Sequence, residues 1–163
     1  MITLQGLPRN KEKFARLVKF LEEVLHICDG IDISPVVEAS LATFAYTNNP
    51  ALEVNDIDML IPEQAFPNII ARLAQSGIKT ELKAWHVLRV LKEDLKLELD
   101  SLEYWSAQWG INVQEDYEKF KINNLELSII DLPSLIRTYE IGVQQPNSPH
   151  EKYQYKLSLL RSL

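Results

Sequence analysis

The sequence predicts an α+β domain: a mixed β-sheet flanked by helices. Apolar residues recur at three- and four-residue steps at both ends of the chain, whereas from Ile78 the period falls to two and holds through residue 103. No repeat and no second block of composition interrupts the pattern, so helices and strands belong to one unit. At 163 residues, 46% apolar and 25% charged, the expectation is a single domain over residues 1–163.

The elements follow in order. Asn10 is placed to cap a helix running to Cys28, whose apolar stripe is Phe14, Leu17, Val18, Leu21, Val24, Leu25 and Cys28. Asp29-Gly30 stops it. Pro35 to Glu38 reads as a short strand that leads directly into a helix beginning at Ser40, and Thr47 to Ala51 is turn chemistry. Val54 to Ile61 is a strand bounded by Pro62, and Glu63 to Gln75 an amphipathic helix with Pro67 tolerated in its first turn. Three strands are expected over Lys79–Leu82, Trp85–Leu91 and Leu95–Glu103, the last two joined by a turn at residues 92–94. A strand pair covers Tyr117–Ile122 and Leu125–Ile130, Asp131 caps a helix over about 133–140, and a closing helix starts at Pro149 or His150. The expected layout is an N-terminal helix at about 10–28, a core at about 32–131 and C-terminal helices at about 132–163.

Composition narrows the function. Seventeen Lys and Arg against 23 Asp and Glu leave a net charge of −6, which argues against bulk nucleic acid or an anionic membrane as a partner. No apolar run is long enough to span a membrane and no signal peptide is apparent, so the expected location is cytoplasmic. The lone Cys28 excludes an intramolecular disulfide and reads as a small core hydrophobe. His26, His86 and His150 lack metal-ligand spacing, which disfavours zinc. Neither a glycine-rich phosphate loop nor a nucleophile elbow is present.

The sharpest feature is Asn55-Asp56-Ile57-Asp58-Met59-Leu60-Ile61. Alternation puts Asp56, Asp58 and Leu60 on one face of a strand and Ile57, Met59 and Ile61 on the other. Adjacent carboxylates repel unless a cation sits between them, and hard oxygen ligands suit Mg²⁺. A second polar stripe, Lys96, Glu98 and Asp100, offers Asp100 as a third carboxylate. Upstream, the strand end at Glu38-Ala39-Ser40 opens a helix whose free N–H groups and Ser40 hydroxyl suit an anion. Near the C-terminus Lys152 and Lys156 share a helical face with Tyr153 beside them, either approaching phosphates or forming a solvated face. Trp85, Trp105, Trp109 and Tyr104 read as core-edge aromatics or as a wall beside Asp100 for an acceptor or base.

Ala39-Ser40, Asp56-Ile57-Asp58 and the later Asp100 resemble the nucleotidyltransferase-fold superfamily of DNA polymerase β, in particular minimal bacterial members such as lincosamide-type and toxin or antitoxin-type proteins. The resemblance spans about residues 30–163. It implies a metal-dependent transferase that moves a nucleoside monophosphate from a nucleoside triphosphate to a hydroxyl of a small molecule or protein. Asp56, Asp58 and Asp100 would be catalytic and hold Mg²⁺ (or Mn²⁺), while Ala39, Ser40, Lys152 and Lys156 would bind nucleotide. Members carry Gly-Gly or Gly-Ser where this chain has Ala39-Ser40, and the stretch from Ser40 to Asp56 is slightly long. Those departures leave an alternative: a degenerate, non-catalytic module acting as an antitoxin-like or regulatory binding partner. A homodimer or a partner protein completing the acceptor pocket is compatible with the chain's small size.

Overall fold

The computed structural model describes residues 1–163. It is α+β, with an eight-stranded mixed sheet flanked by helices. The strands are β1 (Ile2–Thr3), β2 (Val36–Glu38), β3 (Ile57–Ile61), β4 (Lys79–Lys83), β5 (Val87–Lys92), β6 (Leu95–Ser101), β7 (Tyr117–Ile122) and β8 (Leu125–Ile130). The α-helices are α1 (Lys11–Asp29), α2 (Ala39–Thr47), α3 (Phe66–Gln75), α4 (Leu102–Trp109), α5 (Leu132–Gln144) and α6 (His150–Arg161). The spatial order is β1-β7-β8-β2-β3-β6-β5-β4. β2 runs antiparallel to β3 and parallel to β8, and β3 runs parallel to β6. No helix is long and apolar enough to cross a membrane.

The apolar face of β3, Ile57, Met59 and Ile61, is fully buried, as are Leu97 and Leu99 of β6. Burial of this row fixes the register, because a slip of one residue would turn every buried side chain to the opposite face. Phe14, Leu17, Leu21, Val24 and Cys28 of α1 join the same core. Burial pushes the Cys28 thiol up to about 12, so it packs as a hydrophobe. The β5–β6 hairpin is held to α1 by ion pairs from Arg16 to Glu93 and Asp94 and from Lys92 to Glu23.

Several elements differ from the sequence expectation. Asn10 makes no side-chain cap on α1; it turns instead to Val54, donating to the carbonyl at 2.7 Å and accepting from the N–H at 3.0 Å. That tie anchors the segment entering β3. The strand expected from Val54 begins at Ile57, and Trp85 and His86 belong to the β4–β5 turn rather than to a strand. The strand expected to reach Glu103 stops at Ser101, whose hydroxyl accepts from the Tyr104 N–H at 3.2 Å and starts α4. The cap expected at Asp131 is present, accepting from the Ser134 N–H at 2.9 Å.

α5 and α6 pack closely at Gly142, where a Cβ would lie 2.8 Å from two ring carbons of Tyr153. Gly142→Ala is therefore expected to cost roughly 1–3 kcal/mol through overpacking. Thermal melts should show the loss at about 2–4 °C per kcal/mol, and a Tyr153→Ala background should abolish it.

Candidate active site

Strand register assembles a carboxylate cluster. Glu38 of β2 lies opposite Asp58 of β3, Asp58 opposite Glu98 of β6, and Asp100 one pleat further along β6 opposite Leu60. One carboxylate oxygen each from Asp58, Glu98 and Asp100 lies within 4.8 Å of the others. Asp56, just before β3, lies outside that trio and pairs with Lys96 at 3.2 Å; Lys96 also reaches Glu98 at 3.0 Å. Glu38 is 5% exposed and Asp100 8% exposed, deep enough for solvent to screen them poorly.

The electrostatics follow from this crowding. Burial, and then repulsion from Asp100 and Asp56, holds Asp58 well above the usual carboxylate range. Burial also raises Asp100, and the neighbouring Glu38 carboxyl raises it further. Glu38 itself rises to about 7, through burial and the charges of Asp58 and Glu98, with the contact to Asp100 opposing. Asp100 Oδ1 is buried with no hydrogen-bond partner. An unsatisfied hard oxygen amid converging carboxylates fits Mg²⁺ or Mn²⁺ in its donor chemistry.

Cations and a helix start face this cluster. Lys156 is only 6% exposed and donates to Ser40 Oγ at 2.9 Å, with its ammonium 5.8 Å from the centre of the Tyr139 ring. Burial and the neighbouring Lys152 push Lys156 down to about 8, against the attraction of Asp58 and Asp56. The two lysines thus part company: Lys156 is buried on Ser40, and Lys152 is exposed at the rim of the cavity. Ala39 opens α2 with φ +54°, in the left-handed region that favours glycine.

Apart from Lys96, these groups line one cavity of about 600 Å³, to which α2 and α6 contribute on one side and Trp85, Val87 and α4 on the other. It holds every residue singled out from the sequence: Ala39, Ser40, Asp56, Asp58, Asp100, Lys152 and Lys156. Sequence reasoning missed Glu38 as a site residue and named Glu98 only as part of a stripe. A signal for Glu38 existed, since a carboxylate ending a short apolar strand at a helix start is unusual. Its meeting with Asp58 and Asp100 depends on the β2–β3 register, which sequence does not reveal.

No protein-family model matches the chain, and no curated protein matches it in sequence. Solved structures do match in fold. The antibiotic-resistance factor ANT(2'')-Ia superposes with a TM-score of 0.62 at 15% identity, covering 91% of this chain and 90% of the other. A nucleotidyltransferase-like antigen from Paracoccidioides brasiliensis gives 0.65 at 12% identity, covering 95% and 78%. The lincosamide antibiotic adenylyltransferase LnuA, bound to lincomycin, gives 0.61 at 13% identity, covering 88% and 96%. The chain has the nucleotidyltransferase fold.

Two outcomes follow from the site. Ala39→Gly should relieve the left-handed strain and raise stability by about 0.5–1 kcal/mol, once the extra freedom of glycine in the unfolded chain is subtracted; chemical denaturation measures it, and a decrease would show that the Ala39 Cβ contributes packing. For pH, a carboxyl raised from 4.5 to about 7 binds its proton longer in the folded state. The stability it confers is therefore intact below about 4.5 and is lost as pH rises through about 7, on the order of 3 kcal/mol. Metal-free protein should melt lower at pH 8 than at pH 6, and Glu38→Gln should flatten that difference.

Proposed function

We propose that the chain is a metal-dependent nucleotidyltransferase that moves a nucleoside monophosphate from a nucleoside triphosphate to a hydroxyl acceptor. The observation carrying this reading is the meeting, in one cavity, of converging buried carboxylates with a helix start and a buried lysine held on Ser40. Opposite charges face each other across a space that suits a triphosphate accompanied by divalent cations. The fold it shares with ANT(2'')-Ia and LnuA supports the same reading.

Asp56, Asp58 and Asp100, with Glu98 beside them, would hold Mg²⁺ or Mn²⁺. A divalent ion bound there offsets the charge of the triphosphate and lowers the pKa of the acceptor hydroxyl. Ser40 and the free N–H groups at the start of α2 orient the outer phosphates, with the helix dipole assisting. Lys156, already desolvated, regains full charge as the phosphates approach, and Lys152 adds a second cation from the rim. Asp100 takes the proton of the acceptor hydroxyl. The acceptor oxygen then bonds to the α-phosphorus as the bond to the leaving pyrophosphate breaks, in line.

Ala39 favours a second reading. Its Cβ stands where family members carry glycine, which suits a degenerate module that no longer takes up nucleotide and acts by binding a partner protein. Thermal unfolding with each ribonucleoside triphosphate, with and without Mg²⁺, separates the two. Saturating nucleotide at about 100 times its Kd should add about 2.7 kcal/mol, a rise of roughly 5–10 °C. For an enzyme the rise requires Mg²⁺ and disappears in Asp56→Asn/Asp58→Asn. If no triphosphate stabilises the protein, the transferase reading fails and the non-catalytic one takes its place.

A further inference from the structure

We infer that the acceptor hydroxyl is carried by a planar, sparsely hydroxylated ring system seated against the tryptophan wall of the cavity; this rests on the nucleotidyl-transfer reading above. The cavity has two chemically different ends. Its lysines and the α2 start lie at one end, so a triphosphate belongs there. At the other end the lining is Trp85, Val87, Tyr104, Trp105, Gln108 and Trp109, with no cation among them. The chain has three tryptophans, and all three line this one cavity.

The wall is built in advance of any ligand. His86 stacks on Tyr104 with centroids 4.0 Å apart and ring planes at 18°. Tyr104 meets Trp105 edge-on at 5.2 Å, and Trp105 lies 5.7 Å from Trp109. A hydrogen bond between His86 Nδ1 and the Glu63 carboxylate and the Ser101 cap of α4 hold the two sides of this ladder. Trp105 and Trp109 also pack on the core, but Trp85 does not: it stands 47% exposed at the tip of the β4–β5 turn, with the Arg89 guanidinium 5.9 Å from its ring. A large indole outside the core, continuous with a cavity wall, is suited to a ligand face.

Polarity sets the kind of ring. Among these six residues Tyr104 and Gln108 are the polar side chains apart from the indole N–H groups, and the Trp105 N–H is buried without an acceptor. A sugar carries a hydroxyl on nearly every ring carbon, and these six residues offer few partners to receive them. A planar ring with one or two oxygens loses far less. Asp100 lies two residues before α4, so a hydroxyl borne at the edge of a ring on this wall is near the carboxylate that accepts its proton.

Because every tryptophan lies in this wall, intrinsic emission reports on it directly. The test titrates the protein, without nucleotide, with 2-phenylethanol and separately with glucosamine. It is run in the natural chain, in Asp56→Asn/Asp58→Asn and in Trp85→Ala, a change at an exposed turn. The expected result is a saturable emission change with 2-phenylethanol that persists in the double carboxylate variant. Trp85→Ala should weaken it about tenfold, equivalent to about 1.4 kcal/mol. Saturation by glucosamine with 2-phenylethanol silent would overturn the inference, as would silence from both. An emission change produced by ATP with Mg²⁺ and competed by 2-phenylethanol would also overturn it, by assigning the wall to the base of the nucleotide. Because binding at the wall is read without nucleotide and in the carboxylate variant, its outcome is separable from that of the transferase reading.

Discussion

Repulsion among Glu38, Asp58, Glu98 and Asp100 governs the rest of the site. Two unit charges 4.8 Å apart repel by roughly 3 kcal/mol at an effective dielectric of about 20, and here three carboxylates converge, Asp100 buried and Asp58 and Glu98 half-buried. The fold tolerates them because their positions are set by something stronger. Ile57, Met59, Ile61, Leu97 and Leu99 are sunk in the core, and alternation then leaves Asp58, Glu98 and Asp100 no face but the one over the cavity. Apolar burial holds the like charges together. The strain is relieved in part by Lys96, which bridges Asp56 and Glu98, and in part by the raised pKa values of Glu38, Asp58 and Asp100, which favour their neutral forms.

Neither relief satisfies Asp100 Oδ1, and Lys96 approaches the cluster from the Asp56 and Glu98 side. A protein selected for stability alone would place amides or apolar groups at these positions, since replacing buried charge by well-packed neutral groups is often stabilising. Retained charge of this kind is what the proposed triphosphate and its divalent cations would require. The same logic covers the far wall, where Lys156 is buried against Ser40 at the cost of a depressed pKa. Two groups of opposite sign, each unfavourable alone, are held apart across one cavity. The proposed triphosphate with its divalent cations would answer both.

The sheet and most helices were legible because their information is local. A period of two named Asp58 and Asp100 as residues facing away from the leucines, and the 3.6 period of Phe14 to Cys28 named the core face of α1. What failed was non-local or ambiguous. Leu95 to Leu99 alternates so regularly that Ser101 and Glu103 continue the pattern, and nothing before the fold marks Ser101 as a cap; α4 was thereby absorbed into a strand and a loop. β1 is two residues long and carries no period at all. Asn10 has the chemistry of a cap, but the backbone of Val54 competes for the same side chain and wins with two hydrogen bonds. Lys156 shares its face with Lys152, and only the packing of α6 against α2 distinguishes a buried lysine from an exposed one.

The β2–α2 junction shows why the site cannot be separated from its backbone. Glu38 ends its strand in extended geometry, Ala39 turns into the left-handed region, and Ser40 enters the helix. Those three conformations send consecutive side chains to different tasks: Glu38 to the carboxylates, Ser40 to Lys156, and the Ala39 Cβ into the cradle between them. A residue other than glycine at φ +54° carries strain of about 1–2 kcal/mol, and such strain persists only where surrounding contacts overdetermine it. Here those contacts lie on both sides, Glu38 with Asp100 and Ser40 with Lys156. The acidic and basic halves of the cavity are thus joined along the chain by one residue in the left-handed region.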